Sequence, residues 1–177
     1  MDSKIQFVNA LEELLYKKTL DEISVSELVN RTNISRRTFY RHFTDKYDLA
    51  SWYFEQFYEA TFGQIVKGAT WEEALLKYLD IYEEKKMVLL HAYDSQDING
   101  LRNYDIMLTV KTYETYLENK GVDIKDEKIR FAIDIASIGG TDMIIEWLKN
   151  GMKMKKEKLV ELLKRTLPND ILIMVEQ

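Results

Sequence analysis

The chain has 177 residues, a net charge of −5, a hydrophobic content of 46%, one proline and no cysteine. This composition excludes a disordered chain, and the lack of cysteine excludes disulfides and thiolate zinc sites. Scarce proline and glycine favour long helices, so we predict an all-α fold. The chain begins Met-Asp-Ser without a basic and apolar leader, and no apolar run approaches the roughly 18 residues of a membrane span. We therefore expect a cytoplasmic protein with no membrane partner.

The N-terminal region predicts three short helices in succession. Apolar residues recur at helical spacing over residues 3–18. Ser24 and Glu27 have the spacing of a capping box, which predicts a second helix over residues 25–31. These two helices are connected by a short polar segment.

The third helix follows after a three-residue turn. Asn33 suits a left-handed turn conformation, and Ser35 is a good N-cap for a helix over residues 36–43. Phe39 and Phe43 are four residues apart, so they share one helix face and are predicted to lie in the core. Two short helices joined by such a turn form a helix-turn-helix.

This third helix lies in a basic segment of an acidic chain. Residues 31–46 contain five Arg or Lys and one acid, a local net charge of +4 (5 − 1), whereas residues 51–177 contain 17 basic and 22 acidic residues. On charge alone, a solvated helix face is the simpler interpretation. Its position in the second helix of a helix-turn-helix indicates binding to a polyanion instead, because that helix enters the DNA major groove.

The order of residues along this helix predicts separate roles in DNA binding. Arg36 and Arg37 are at its N-terminal end, which meets base edges, and Thr38 can contact a thymine methyl group. For Tyr40 the alternative is packing, and for His42 it is capping of the helix. Tyr40, His42 and Lys46 are predicted to contact phosphates. Lys46 and Ser24 lie at the starts of helices, where backbone amide groups favour an anion. The complete set predicted to bind DNA is Ser24, Ser35, Arg36, Arg37, Thr38, Tyr40, Arg41, His42 and Lys46.

The remainder of the chain predicts more helices and no strand. A long helix is expected over residues 46–67, and a capping box formed by Thr70 and Glu73 begins another that ends near residue 85. The polar residues 94–100 form a loop after a short apolar piece. Glycines separate the last three predicted helices, which cover residues 101–119, 127–149 and 156–167.

The segment ISRRTFYRHFTDKYDL resembles the DNA-binding signature of the TetR family of transcriptional regulators, and the resemblance extends over roughly residues 5 to 50. The matching positions are Ile34, Ser35, Thr38, Phe39, Tyr40, His42, Phe43, Lys46 and Leu49. It implies a three-helix DNA-binding domain over residues 1–48 and a helical effector-binding and dimerisation domain over residues 49–177. It further implies a homodimeric repressor that a small-molecule effector releases from a palindromic operator in double-stranded DNA.

The resemblance also places an effector pocket and a dimer interface in the second domain. For the pocket, filling of the core is the alternative role of the aromatic side chains, and the residues implied are Tyr78, Tyr82, Tyr104 and Met107. For the interface, the apolar stripes alone suit an internal core equally well, and the residues implied are Ile138, Thr141, Ile145, Leu148, Leu159, Leu162 and Leu163. Gly139 and Gly140 weaken their helix by about 1 kcal/mol each, which predicts a close backbone approach inside the domain or across a dimer.

Two positions depart from the TetR pattern. The turn between the two helices contains Thr32-Asn33, where the family usually has Ala-Gly, and Asn permits the same turn conformation. Arg37 replaces a residue that is commonly small, so we expect an altered operator sequence. The segment IIEWLKNGMK is similar to the DhaS-like subgroup, which includes regulators of dihydroxyacetone kinase operons. This similarity favours an alternative, a regulator of the activator type that a protein partner controls.

An all-α enzyme is the rival interpretation. The chain has two histidines, no cysteine, no Glu-x-x-His pair for a di-iron bundle and no Gly-rich phosphate loop. Its acids form no recognisable catalytic pattern. We therefore predict no enzymatic activity, no metal site and no cofactor.

Overall fold

The structure is a computed structural model that describes residues 2–175. Over this range it contains ten α-helices, one 3₁₀ helix (Phe62–Lys67) and no strand, which confirms the predicted all-α fold. The α-helices are α1 (Ser3–Leu15), α2 (Val25–Thr32), α3 (Arg36–His42), α4 (Lys46–Thr61), α5 (Trp71–Glu84), α6 (Lys86–Tyr93), α7 (Leu101–Asn119), α8 (Glu127–Lys149), α9 (Lys156–Arg165) and α10 (Asn169–Val175). None of these helices combines the length and the apolar character that a bilayer crossing requires.

The chain forms two compact units. The first unit contains the chain up to Phe57 together with Lys85–Tyr104, and the second contains Tyr58–Glu84 together with the chain from Asp105 onward. The segment containing α6 belongs to the first unit because α6 packs against α1. These units are structural, and the functional division between residues 48 and 49 stays a prediction.

In the first unit, α1 contacts α2, α3 and α6. Phe7 of α1 is fully buried, and its ring meets the ring of Phe39 edge-on, with centroids 5.1 Å apart. His91 of α6 donates a hydrogen bond from Nδ1 to the carbonyl oxygen of Leu15 at 2.6 Å. These contacts hold the three N-terminal helices around one apolar centre.

The predicted signals at the ends of α2 and α3 are present. The Ser24 hydroxyl accepts from the Glu27 amide, and the Glu27 carboxylate accepts from the Ser24 amide, so the capping box is complete. Asn33 has a φ of 55° and ends α2 in the left-handed conformation. Ser35 then accepts a hydrogen bond from the Thr38 amide and begins α3. Local hydrogen bonding therefore fixes the helix-turn-helix.

In the second unit, α5 packs against α9, and α8 packs against α10. The capping box that begins α5 is present, with hydrogen bonds of 2.9 and 3.1 Å between Thr70 and Glu73. The long helix predicted to residue 67 is wrong in its last part, because α4 ends at Thr61 and the chain tightens into the 3₁₀ helix. Gly63 lies at this change and has a poor helix propensity. Helix α10 was not expected; it begins after Pro168, whose carbonyl oxygen accepts hydrogen bonds from the Ile171 and Leu172 amides.

Candidate nucleic-acid interface and cavity

Helix α3 has one buried face and one exposed face. Phe39 is fully buried and Phe43 is nearly so, and their rings lie 5.7 Å apart. On the other side, Arg37, Tyr40 and Arg41 are exposed, and 54% of the Tyr40 surface is accessible although the residue is aromatic. The phenylalanines therefore anchor the helix, and a basic face with one phenol remains free to contact a partner.

Hydrogen bonds position the N-terminal end of this face. The Ser35 hydroxyl accepts from the Thr38 amide at 3.1 Å and lies 3.0 Å from the Thr38 hydroxyl. The Arg36 guanidinium donates to the Ser26 hydroxyl of α2. Arg31, at the end of α2, pairs with Glu13 of α1 at 2.5 Å, which neutralises its charge. The positive charge of the segment is thus concentrated on α3.

Three of the side chains predicted to bind phosphate already make hydrogen bonds within the first unit. Lys46 donates from Nζ to the carbonyl oxygens of Asp21 and Ile23, at 2.6 and 2.8 Å, and burial lowers the pKa of Lys46 despite the nearby Asp21 carboxylate. Nε2 of His42 lies 2.7 Å from the Ser3 hydroxyl. Ser24 is occupied by its capping box. A lysine ammonium has three donors, so one remains for a phosphate; all of these roles stay predictions.

Asp21 connects the loop after α1 to two other parts of the first unit, which sequence reasoning missed. Its carboxylate accepts hydrogen bonds from the Ser95 hydroxyl at 2.5 Å, the Gln96 amide at 2.9 Å and the Tyr47 hydroxyl at 3.1 Å. Burial alone would raise the pKa of Asp21, but these hydrogen bonds outweigh it and lower the pKa. Burial and the Asp21 carboxylate raise the pKa of Tyr47 well above its usual value. No local motif at Asp21 indicated these contacts.

The second unit contains a cavity of about 310 Å³. Of the predicted pocket residues, Tyr78 and Tyr82 line it. Tyr104 and Met107 are not among its described lining residues, and Met107 is exposed. The lining is mainly apolar, and six of its residues are aromatic: Tyr58, Phe62, Trp71, Tyr78, Tyr82 and Tyr113.

An acidic side chain, Asp105 of α7, lies in the wall of this cavity and is only 3% exposed. Its carboxylate accepts hydrogen bonds from the hydroxyls of Tyr78, at 3.2 Å, and Tyr82, at 3.4 Å. Burial, and then the Asp105 charge, raise the pKa of Tyr78, so its hydroxyl stays protonated and donates. Sequence reasoning missed Asp105. It follows Leu101 by four residues and precedes Leu108 by three, so its position on an apolar helix face was the available signal.

Gly139 and Gly140 of α8 also line the cavity. A Cβ atom added at either position would meet no heavy atom within 4 Å. The predicted close backbone approach inside the domain is therefore wrong for the residues that the structure describes. The two glycines instead leave space in the cavity wall.

The side chains expected at a dimer interface lie mostly in the core of their own chain. Buried side chains have no surface for a second copy, so the expectation is revised for Thr141, Ile145, Leu148, Leu159 and Leu163. Leu162 is half-buried, and Ile138 is exposed.

Exposed apolar residues follow a different face of α8. Phe131, Ile135 and Ile138 are spaced at i, i+4 and i+7, and 67% of the Phe131 surface is accessible. Apolar side chains at this spacing form one stripe along a helix.

Within residues 2–175, no group of three His, Cys, Asp or Glu side chains could hold a metal ion.

Comparisons with known proteins agree with this arrangement. The family described as "Bacterial regulatory proteins, tetR family" matches residues 7–51, and the family described as "Transcriptional regulator C-terminal region" matches residues 69–169. A curated relative is the HTH-type dhaKLM operon transcriptional activator DhaS of Lactococcus lactis subsp. lactis (strain IL1403), 28% identical over 78 residues. The matched segment covers 44% of this chain and 42% of DhaS, so it spans less than half of that relative's length.

Three solved structures share the fold. The dihydroxyacetone kinase operon activator DhaS has a TM-score of 0.64 at 21% identity, covering 96% of both chains. The fatty acid degradation regulator FadR from Bacillus halodurans has a TM-score of 0.57 at 16% identity, covering 92% of this chain and 96% of FadR. RolR, solved without ligand, has a TM-score of 0.57 at 14% identity, covering 98% of this chain and 96% of RolR.

Proposed function

The chain belongs to the TetR family of bacterial transcriptional regulators, and on that premise we propose how it binds DNA and how this binding is controlled. Helix α3 enters the major groove of an operator, with Arg36, Arg37 and Thr38 facing base edges and with Tyr40 and Arg41 facing the backbone. The observation that carries this proposal is the exposed basic face of α3 opposite two buried phenylalanines. Lys46, His42, Ser24 and Ser35 also contact the DNA in this proposal, in addition to the hydrogen bonds that they make within the helix-turn-helix region.

The regulator acts as a homodimer in this proposal, because two copies of α3 double the DNA contacts and read a palindromic site. Phe131, Ile135 and Ile138 on α8 are the proposed contact surface. A glutamate at position 131 would place a charge in the apolar centre of such an interface. Phe131→Glu should therefore give a monomer in sedimentation experiments, whereas Phe131→Leu, which keeps the position apolar, should leave a dimer.

The cavity of the second unit is the proposed effector site. A ligand can change DNA affinity only if it binds the DNA-competent and DNA-free conformations unequally. The mostly apolar wall, with six aromatic residues and a few polar groups, supports a small organic effector. We propose no catalytic role for this protein, and its place of action is the cytoplasm, where the operator DNA is.

The first candidate for the mode of regulation is repression, which binding of the effector relieves. The second candidate is activation, with a protein partner in place of the small molecule. It is supported by the names of the DhaS relatives, both of which are described as activators.

Selection of bound sequences from random duplex DNA tests the DNA-binding proposal. A palindrome with half-sites about 34–36 Å apart is expected for a two-fold dimer. That site is then placed before a reporter gene, where lower transcription identifies a repressor and higher transcription identifies an activator. Recovery of no enriched sequence by the dimeric protein would overturn the proposal.

A further inference from the structure

This inference rests on the proposed effector role of the cavity. We propose that the cavity ligand is an organic cation, with an ammonium or protonated amine group attached to an apolar body. The proposal concerns the charge and the chemical class of the ligand, which the family does not determine. It depends on two features of the described cavity wall: its cluster of contacting aromatic rings and its one carboxylate.

The aromatic surface is contiguous across two segments of the second unit. The ring of Tyr78 lies 5.3 Å from that of Tyr58, 5.4 Å from that of Phe62 and 5.0 Å from that of Tyr82. Trp71 adds the ring type that attracts cations most strongly. Aromatic faces are electron-rich, so a desolvated ammonium among several of them is stabilised through cation–π interactions.

Asp105 gives the wall its charge. Of the lining residues that the structure describes, it is the one with a carboxyl group, and none is Lys, Arg or His. The hydroxyls of Tyr78 and Tyr82 donate hydrogen bonds to its carboxylate. In a buried site, a carboxylate attracts a cation and repels an anion more strongly than in water. A fatty acid or another carboxylate ligand would therefore be disfavoured here.

The shape of the cavity suits the apolar part of such a ligand. At about 310 Å³, the cavity has room for one small aromatic or branched aliphatic group. The missing side chains of Gly139 and Gly140 extend this room along α8. The Tyr58 hydroxyl is 2.5 Å from the Thr109 hydroxyl, so these two polar groups of the wall satisfy each other.

The first experiment uses the unaltered chain and three probes of similar size. Benzyltrimethylammonium is the cation, neopentylbenzene is its neutral isostere with carbon in place of nitrogen, and 3-phenylpropanoate is the anion. Titration calorimetry, or competition where solubility limits the neutral probe, should show the cation binding at least tenfold more tightly than the isostere, with the anion weakest. Equal binding of the cation and the isostere, or tighter binding of the anion, would overturn the proposal.

Asp105→Asn tests the origin of this preference. Asparagine keeps the size and an acceptor for the tyrosine hydroxyls but removes the charge, so the preference for the cation should fall at least fivefold while the neutral probe keeps its affinity within about twofold. The matched control is Asp134→Asn, which removes one exposed acid of α8 and should change neither. A preference that survives in Asp105→Asn, or that Asp134→Asn abolishes equally, would contradict the role of Asp105.

DNA binding is measured separately, on the same preparations without probes. A chain that selects an operator but shows no cation preference keeps the proposed function and refutes the inference. A chain that prefers the cation but selects no DNA keeps the inference and refutes the proposed function. If the aspartate variant fails to fold, the three-probe comparison on the unaltered chain still decides the inference.

Discussion

Helix α3 and the cavity arrange charge and aromatic rings in opposite ways. In α3 the rings of Phe39 and Phe43 are buried and the arginines face solvent, so the surface attracts an extended polyanion. In the second unit the carboxylate of Asp105 is buried, and aromatic rings form the wall around it. The same two kinds of group thus give the surface that we propose for DNA and the cavity that we propose for a small molecule.

The two regions also differ in how far apart their residues are in the sequence. The contacts that begin α3 span three residues, from Ser35 to Thr38, whereas the cavity combines residues from Tyr58 to Leu167. A surface formed by residues that are close together in the sequence tolerates substitutions elsewhere in the chain. A cavity built from distant segments depends on how all of them pack.

The largest effect is expected from removing the anchor of α3. Phe39→Ala should lower the free energy of unfolding of the first unit by about 3–5 kcal/mol, because it leaves a void beside Phe7. Tyr40→Ala, on the exposed face, should change stability by only about 0.5 kcal/mol. Urea denaturation of both variants measures the difference. Similar losses in the two variants would show that the faces of α3 are misassigned.

The next largest effect is a change in the affinity for DNA and not in the stability of the fold. Arg37→Ala should weaken operator binding by about 1–3 kcal/mol and relax the base preference at one position. The control is Arg31→Ala, whose guanidinium is paired with Glu13 and lies on α2. It should change affinity much less, as measured by fluorescence anisotropy at several salt concentrations. Equal losses would mean that net charge, and not the exposed face of α3, determines binding.

The sequence predicted α3 well because its signals are local. The N-cap at Ser35, the turn at Asn33 and the spacing of the phenylalanines all act within a few residues, and each of these features is present in the structure. The cavity could be predicted only in part. Tyr78 and Tyr82 were identified, but Asp105 was missed because an acid within a helix is normally a solvated one.

The apolar stripes of the last helices show a further limit. Periodicity identifies which side chains share a face, but it does not say whether the face meets the same chain or a second copy. Ile145 and Leu148 follow the helical period and are buried inside the chain, whereas Phe131 and Ile135 follow it equally and are exposed. The difference depends on which helix covers a given face; α10 packs against α8, and no local signal determines its position.

A smaller effect is expected from filling the cavity wall. Gly140→Ala should raise the free energy of unfolding by about 0.5–1 kcal/mol, because alanine is the better helix former and its Cβ atom meets no neighbour within 4 Å. The melting temperature should rise by about 1–4 °C while the affinity for a cavity ligand falls. Gly151→Ala is the control, since its φ of +82° strains any side chain and should lower stability. A destabilised Gly140→Ala variant would indicate that the cavity is closed in solution.

The smallest effect concerns the Asp21 network, which belongs to the first unit and contains no residue that lines the cavity. Hydrogen bonds from Ser95, Gln96 and Tyr47 lower the pKa of Asp21 below its ordinary value of 3.8. A carboxylate with a lowered folded-state pKa contributes stability above the unfolded-state pKa and loses it as the pH falls through the folded-state value. Asp21→Asn should therefore be less stable than the unaltered chain at pH 7, and the difference should shrink below about pH 4.

Urea denaturation at pH 7 and at pH 3 measures this convergence. Asp94→Asn removes a neighbouring carboxylate that is not part of the network. The difference between its free energy of unfolding and that of the unaltered chain should therefore be the same at pH 7 and pH 3. If Asp21→Asn and the unaltered chain differ equally at pH 7 and pH 3, the contribution of Asp21 comes from its shape and not from its charge. The network would then tie the loop at residues 94–100 to the loop after α1 by packing alone.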